Sequence, residues 1–235
     1  MPKKIGKCDT AKIIIKLEDV WKIYKVGNTK INALAGVSIE IRKGCFVVIM
    51  GPSGSGKSTC VNMVGCLDVP SKGEIYLGGK NIAHLTESEL AKIRGKTIGF
   101  IFQQFNLIPT LTALQNVMLP MAFQDTTFQE REKTARKLLE MVDLKDRMNN
   151  KPTELSGGQQ QRVAIARALA NDPEVILADE PTGNLDSRTG KIVMEYLEKL
   201  HKEGKTIIMV THDPSLEKLG ERVIKLKDGK VEKIG

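Results

Sequence analysis

The sequence is poor in aromatic residues, which make up only 4% of its 235 positions. Proteins that bind single-stranded nucleic acid stack bases on aromatic side chains, so this scarcity argues against such a binding surface. The sequence also lacks any run of about 18 apolar residues, the minimum for a membrane-spanning helix. Its apolar run Ile13–Ile15 is too short for the core of a signal peptide.

Cysteine is also scarce, and the four that occur, Cys8, Cys45, Cys60 and Cys66, form no C-x-x-C pair. Redox and metal motifs commonly use such pairs, so we predict that the four cysteines are reduced and act as small hydrophobic residues. Reduced cysteines are typical of cytosolic proteins, which predicts a cytoplasmic location.

Charge, in contrast, is plentiful and unbalanced: 36 Lys and Arg against 28 Asp and Glu give a formal net charge of +8. Such a balance fits nucleic acid, an anionic membrane surface or phosphate ligands. The basic residues are spread along the chain, apart from a small cluster at Lys3, Lys4 and Lys7. Most are therefore expected on a solvated surface, and we expect no specific nucleic acid partner.

The stretch GPSGSGKST at residues 51–59 follows an apolar run and precedes a predicted helix. It fits the phosphate-binding loop G-x-x-x-x-G-K-[ST], whose glycines let backbone amides converge on phosphate at a helix N-terminus. Lys57 adds a charge for the β- and γ-phosphates, and Ser58 offers a hydroxyl to Mg²⁺. A Gly/Ser linker would not lie between a buried strand and a helix. The predicted nucleotide ligands are Gly51, Ser53, Gly54, Ser55, Gly56, Lys57, Ser58 and Thr59.

Two carboxylates, Asp179 and Glu180, follow the apolar strand predicted at 174–178. Ligands bind beyond the carboxyl ends of strands in open α/β sheets. Asp179 is therefore predicted to reach Mg²⁺ beside Ser58, and Glu180 to orient the attacking water as a general base. Without the phosphate loop, an acidic pair capping a turn before Pro181 would be the better interpretation.

Two further polar residues, Gln103 and His212, also follow predicted strands. Gln103 is predicted to touch Mg²⁺ or the attacking water, with Gln104 as an alternative and a plain hinge role open for either. His212 is predicted to stabilise charge that develops at the γ-phosphate. A lone histidine is otherwise most often structural or solvated.

The sequence LSGGQ at residues 155–159 opens a second long predicted helix, at about 160–170. Small residues before a helix N-terminus again predict an anion site. Two such sites, only one with a lysine, indicate two different surfaces that touch phosphate. If both hold one nucleotide, the second must come from another subunit. The predicted ligands here are Ser156, Gly157, Gly158 and Gln159.

Tyr24 and Asp186 are weaker candidates. Tyr24 closes the first predicted strand, where stacking on a base would contribute about 0.5–1.5 kcal/mol. Taken alone, core packing of Tyr24 is an equal alternative. Asp186 lies in the loop after Glu180, and its alternative role is to cap the next helix.

Helical patterns alone fill the chain between Gln103 and about Glu174, whereas strands and helices alternate on either side. We therefore predict a single domain over 1–235. Its core would comprise 13–102 and 172–235, and its helical insert 103–171.

In this order and spacing, the motifs resemble those of the ATP-binding cassette of ABC transporters over essentially the whole chain. Residues 51–59 resemble the Walker A motif, 155–159 the signature motif and 175–179 the Walker B motif. The remaining matches are Glu180 as the catalytic glutamate, Gln103 as the Q-loop, Asp186 in the D-loop, His212 as the switch histidine and Tyr24 as the adenine-stacking aromatic.

The resemblance implies the α/β fold of a P-loop NTPase. It would have a mainly parallel sheet, an antiparallel β subdomain and an α-helical subdomain carrying the signature. It also implies ATP and Mg²⁺ as ligands, with Gln103, Ser58 and Asp179 near the metal. The expected partners are a second copy, in a head-to-tail dimer, and an integral membrane transporter subunit that holds the protein at the inner face of the membrane.

Within the family, the stretches 102–109, 111–117 and 179–186 resemble the lipoprotein-release and macrolide-export branch. One alternative is a soluble ABC ATPase of DNA repair or translation. Those proteins usually carry two cassettes or a long coiled-coil insert, and the insert here shows no sustained heptads. A second alternative is a P-loop kinase, which would need neither Glu180 nor the signature motif.

Overall fold

A computed structural model describes residues 7–27 and 29–235. The strands are, in chain order, β1 (Ile13–Val26), β2 (Thr29–Arg42), β3 (Phe46–Met50), β4 (Lys72–Leu77), β5 (Lys80–Asn81), β6 (Ile98–Ile101), β7 (Val175–Asp179), β8 (Thr206–Thr211), β9 (Arg222–Lys227) and β10 (Lys230–Ile234). The helices are α1 (Lys7–Thr10), α2 (Lys57–Val64), α3 (Glu87–Thr97), α4 (Ala113–Met118), α5 (Phe128–Met141), α6 (Gly157–Ala168) and α7 (Ser187–Lys202).

The chain divides into two compact units. The first comprises residues up to Lys92 together with Glu203–Gly235, and the second comprises Ile93–Lys202. This division into two units does not decide the predicted boundaries of the core and of the helical insert at 103–171, which stay predictions.

The first unit contains an antiparallel sheet with the strand order β2-β1-β4-β5. Its β4–β5 hairpin turns at Gly78-Gly79, as the sequence predicts. The unit also contains strands in the order β10-β9-β3-β8, where β3 runs parallel to both β8 and β9. Every residue of β3 and β8 is buried, which explains why β3, and β8 between its terminal threonines, are continuously apolar rather than alternating.

The second unit combines the parallel pair β6–β7 with helices α4 to α7. Helices α4, α5 and α6 each begin with a capping box, at Thr112, Thr127 and Ser156. In a capping box, the side chain of the cap residue accepts a hydrogen bond from the backbone amide three residues later. The side chain of that later residue accepts one from the backbone amide of the cap residue. Pro120 ends α4 as predicted, although a 3₁₀ helix, Leu119–Phe123, continues the chain. Among the described residues, no helix has both the length and the apolar character needed to cross a bilayer.

The prediction of four reduced cysteines is wrong, because Cys8 and Cys45 form a disulfide. The bond joins α1 to the residue just before β3, and it closes a separation of 37 residues. Sequence spacing gave no sign of this pairing. Cys60 and Cys66 are buried and form no disulfide, and burial raises the pKa of the Cys60 thiol to about 12. Of the basic cluster, Lys3 and Lys4 lie outside the described residues.

Reduction of the Cys8–Cys45 disulfide should destabilise the protein. A cross-link over this separation restricts the unfolded chain, and the loop-entropy estimate is up to about 4 kcal/mol. Guanidinium unfolding with and without a thiol reductant measures the difference. The Cys8→Ser variant is the control, since reductant should not change its unfolding midpoint. Equal stability of the oxidised and reduced wild-type protein would contradict the prediction.

Candidate nucleotide site

The phosphate-binding loop follows β3 and leads into α2 in the first unit. A side chain on Gly51 would collide with the carbonyl oxygen of Leu226, so only glycine fits at the exit of the strand. Gly56, at φ 95°, caps α2 without a side chain, and a Cβ there would lie 2.5 Å from the carbonyl oxygen of Ala33. The loop backbone is therefore packed closely against its neighbours, and no side chain caps the first turn of α2. That leaves the helix N-terminus open to an anion.

Lys57 lies within this loop. Its Nζ donates hydrogen bonds to the carbonyl oxygens of Gly51 and Pro52, both at 2.8 Å. Two of the three ammonium hydrogens thus fix the side chain across the loop, and the third can point to a phosphate oxygen. Ser58, one residue further on, is exposed at the start of the helix. The contacts of Lys57 with phosphate and of Ser58 with Mg²⁺ stay predictions.

His212 follows β8 at the same edge of the first unit. Met50, the last residue of β3, pairs with Thr211, the last residue of β8. The loop residue Gly51 and His212 therefore leave adjacent parallel strands at neighbouring positions. His212 is exposed, which leaves its ring accessible to a ligand.

Tyr24 also belongs to the first unit, and its side chain is 37% exposed. This exposure disfavours the alternative that Tyr24 is a core residue. Lys22 Nζ lies 5.4 Å from the ring centroid and donates a 2.6 Å hydrogen bond to Asp68. The ring thus has a cation on one side and an accessible surface, a geometry on which a base can stack.

The second unit places Gln103, Asp179 and Glu180 together. Ile101 at the end of β6 pairs with Ala178 of β7, so these polar residues follow the two strands at one edge. Glu180 has a left-handed backbone with φ 44°, which is uncommon for a residue with a long side chain. Non-glycine residues in this region are strained and cluster at functional sites.

The segment after Glu180 contacts Gln103 directly. Asn184 Nδ2 donates a 3.0 Å hydrogen bond to the Gln103 carbonyl oxygen. A Cβ on Gly183 would lie 2.8 Å from Gln103 Nε2, so a larger residue there would require the Gln103 side chain to shift. The predicted Q-loop and the segment of the predicted D-loop are thus one packed cluster.

Asp186 caps helix α7. Its Oδ1 accepts hydrogen bonds from the backbone amides of Arg188 and Thr189, and its Oδ2 accepts one from the Thr189 hydroxyl. The hydroxyl of Thr189 foremost lowers the pKa of the Asp186 carboxyl below its ordinary value. The alternative role given to Asp186, helix capping, is therefore confirmed, and its contact with nucleotide stays a prediction.

The signature residues begin α6. Ser156 Oγ accepts a hydrogen bond from the Gln159 amide, and Gln159 Oε1 accepts one from the Ser156 amide at 2.8 Å. Gln159 is thus engaged in the capping box. Within 7–27 and 29–235, the amides of Gly157 and Gly158 have no hydrogen-bond partner, as expected for the first two positions of a helix. These two amides and the Ser156 hydroxyl are the groups that can meet an anion here.

Helix α6 also carries two polar residues that the sequence analysis missed, Gln161 and Arg167. Arg167 donates hydrogen bonds to the carbonyl oxygens of Phe105 and Asn106, just after Gln103, and burial lowers the pKa of its guanidinium. An arginine within the apolar run 163–170 was a usable signal, since buried charges need partners. Gln161 is fully buried and contacts the residue after Glu180.

Comparison with known proteins gives a consistent result. A family profile described as "ABC transporter" matches residues 34–183. The ABC transporter ATP-binding protein MJ0796 of Methanocaldococcus jannaschii is 56% identical over 225 residues, which are 94% of this chain and 96% of that protein. The macrolide export ATP-binding/permease protein MacB of Bdellovibrio bacteriovorus is 49% identical over 93% of this chain, which spans only 33% of MacB.

The fold is likewise shared with solved structures. A dimeric, post-hydrolysis structure of the MJ0796 cassette bound to ADP and Pi matches with a TM-score of 0.88 and 53% identity, covering 94% of this chain and 98% of that chain. The predicted α/β fold of an ATP-binding cassette and the predicted ATPase activity are therefore confirmed. The chain belongs to the ABC transporter family, as an ATP-binding subunit that hydrolyses ATP.

Proposed function

We propose that two copies of the chain bind head to tail, with each ATP held between the phosphate loop of one copy and the start of α6 of the other. The observation that carries this proposal is the presence of two helix N-termini whose glycine amides are free for an anion. Only α2 has a lysine beside it. The solved structure of the related cassette, which is dimeric and bound to ADP and Pi, supports a dimer that holds nucleotide.

ATP fits the residues of the first unit. The triphosphate would lie along residues 51–59, with Lys57 at the β- and γ-phosphates and Tyr24 stacked on adenine. The oxygens proposed for Mg²⁺ are a hydroxyl, an amide and a carboxylate, from Ser58, Gln103 and Asp179, and Mg²⁺ prefers such hard ligands. When bound, Mg²⁺ neutralises part of the charge on the β- and γ-phosphate oxygens.

Glu180 then accepts a proton from the attacking water, and His212 stabilises the charge that develops on the γ-phosphate. Both residues leave the carboxyl ends of strands, which is where phosphate ligands bind in this class of fold. The lid, Ser156 to Gly158 of the second copy, excludes water and completes the charge stabilisation. Hydrolysis cleaves the γ-phosphate that joins the two copies, and release of that phosphate lets the dimer reopen.

The hydrolysis cycle would drive an integral membrane partner. The name of the related MacB protein includes both an ATP-binding and a permease function, and this chain matches a third of that protein. We infer a separate membrane subunit of the lipoprotein-release or macrolide-export type. The chain would then lie in the cytoplasm, on the inner face of the membrane, held there by its partner. No specific nucleic acid is part of this function.

Ser156→Arg tests the shared site. The arginine would occupy the space of the nucleotide and replace the hydroxyl, so it should block dimerisation and abolish most ATP turnover. ATP binding to the monomer should be unchanged, because Ser156 is not part of residues 51–59. ATPase rates and binding of a fluorescent ATP analogue measure the two effects separately.

Ser88→Arg is the matched control. Ser88 is exposed near the start of α3 and has no role in the proposed site, so the same change should leave turnover unchanged. Undiminished turnover in Ser156→Arg would show that the start of α6 is not used across an interface.

A further inference from the structure

Gln161 is a polar residue at a fully buried position of α6, with 0% of its surface exposed. Its side-chain amide lies 2.7 Å from the carbonyl oxygen of Pro181. A carbonyl oxygen can only accept hydrogen bonds, so the NH₂ group of Gln161 must face it. The contact joins the signature helix to the residue that directly follows Glu180.

The other end of the Gln161 amide is unsatisfied. Its Oε1 is buried and has no hydrogen-bond partner within the described part of the chain. Burying a polar atom without a partner costs free energy, and a core position that only needed filling would hold leucine or methionine. The presence of glutamine at this position is therefore explained by the hydrogen bond that its NH₂ group donates to the Pro181 carbonyl oxygen.

The turn that contains Glu180 combines a strained residue with a proline. Glu180 is held at φ 44°, a conformation that is strained for a glutamate. Pro181 has no N–H and so cannot donate a backbone hydrogen bond. The turn is closed on one side by the Gly183 amide, which donates to the Glu180 carbonyl oxygen at 3.0 Å. The Pro181 carbonyl oxygen is held on the other side by Gln161.

We infer that Gln161 is a positioning residue that holds the Glu180 carboxylate at a fixed position relative to helix α6. The inference rests on the proposed role of Glu180 as general base. The same helix begins with Ser156, Gly157 and Gly158, which touch the nucleotide bound to the other copy in the proposed dimer. The hydrogen bond between Gln161 and Pro181 therefore links the general base of one ATP site to the helix that closes the other ATP site.

Gln161→Met tests this role, because methionine keeps the length and burial of the side chain and removes the donor. We expect kcat for ATP to fall by about 10- to 100-fold, since small errors in the position of a catalytic group have effects of this size. The Kd for ATP should be unchanged, because residues 51–59 do not include Gln161. Gln161→Leu, which also removes the donor and keeps an apolar side chain at this buried position, is the second variant and should lose a comparable amount of activity.

Two controls separate positioning from stability. Val163→Ala removes volume from another fully buried position of α6 and touches no polar group. If the two variants have equally lowered melting temperatures, kcat should be lower than that of the wild type in Gln161→Met and unchanged in Val163→Ala. In the Glu180→Gln background, Gln161→Met should cause no further loss of single-turnover phosphate release, because its effect passes through Glu180.

Four outcomes would overturn the inference: an unchanged kcat in both Gln161 variants, a loss equal to that of Val163→Ala, a raised Kd that accounts for the loss, or a further loss in the Glu180→Gln background. The proposed function fails separately, since it requires Glu180→Gln alone to abolish most turnover. If Glu180→Gln does so while both Gln161 variants keep wild-type kcat, only the positioning role is lost.

Discussion

Replacement of Glu180 by glutamine should lower kcat for ATP by roughly 10²- to 10⁴-fold, the usual contribution of a positioned general base. Glutamine has the same shape, so the left-handed turn at φ 44° and its contact through Pro181 are retained. It cannot take a proton from water at neutral pH. ATP should still bind, and with turnover blocked the ATP-bound dimer should accumulate. Steady-state phosphate release and equilibrium binding of ATP measure the two effects.

Glu195→Gln is the matched control, since Glu195 is an exposed glutamate on α7 in the same unit. It should turn over ATP at the wild-type rate and have an unchanged melting temperature. A Glu180→Gln protein that keeps wild-type kcat would remove Glu180 from the reaction. A raised Kd for ATP with unchanged kcat would instead assign Glu180 to binding.

Lys57→Ala should weaken ATP binding by about 2–3 kcal/mol, or roughly 30- to 150-fold in Kd, the range for hydrogen bonds to charged groups. The loss has two parts. The ammonium no longer meets the β- and γ-phosphates, and its hydrogen bonds to the carbonyl oxygens of Gly51 and Pro52 disappear, which loosens the loop. Titration calorimetry with ATP at low salt measures the change directly.

Lys133→Ala, at an exposed position of α5, removes the same charge and should bind ATP normally. Lys57→Ala should also remain folded, since the Lys57 side chain donates its hydrogen bonds to carbonyl oxygens of the loop. Unchanged affinity for ATP in Lys57→Ala would show that residues 51–59 do not bind the triphosphate.

The local features of the fold were predictable because their signals are contiguous in sequence. The apolar strand, glycine-rich loop and helix around Lys57 form one uninterrupted motif, and the structure places them as expected. The hairpin at Gly78-Gly79 and the helix that begins after Thr86 are set by turn and capping residues that lie within a few positions of each other.

The features that were not predicted depend on partners far apart in sequence. Cys8 reaches Cys45 across 37 residues, and no local pattern marks that pairing. Arg167 bonds to a backbone segment 61 and 62 positions away, and Gln161 to one 20 positions away. Which of the three successive glutamines 159, 160 and 161 faces the core follows from the direction of α6, which periodicity in so short a polar stretch leaves open.

The candidate site shows the same division. Its residues were identified because each follows a strand or begins a helix, positions that sequence patterns do indicate. The left-handed turn at Glu180 was not, since it is fixed by backbone geometry. The capping box of Ser156 and Gln159 was missed, although its S-x-x-Q pattern is a local signature of a helix start.

The mass of the Glu180→Gln protein in Mg²⁺ and ATP, measured by multi-angle light scattering, tests the shared nucleotide site most directly. A head-to-tail dimer predicts twice the monomer mass with ATP and the monomer mass without nucleotide. Addition of Ser156→Arg to the same chain should return the mass to that of the monomer. A Glu180→Gln protein that stays monomeric at ATP concentrations well above its Kd for ATP would contradict the account.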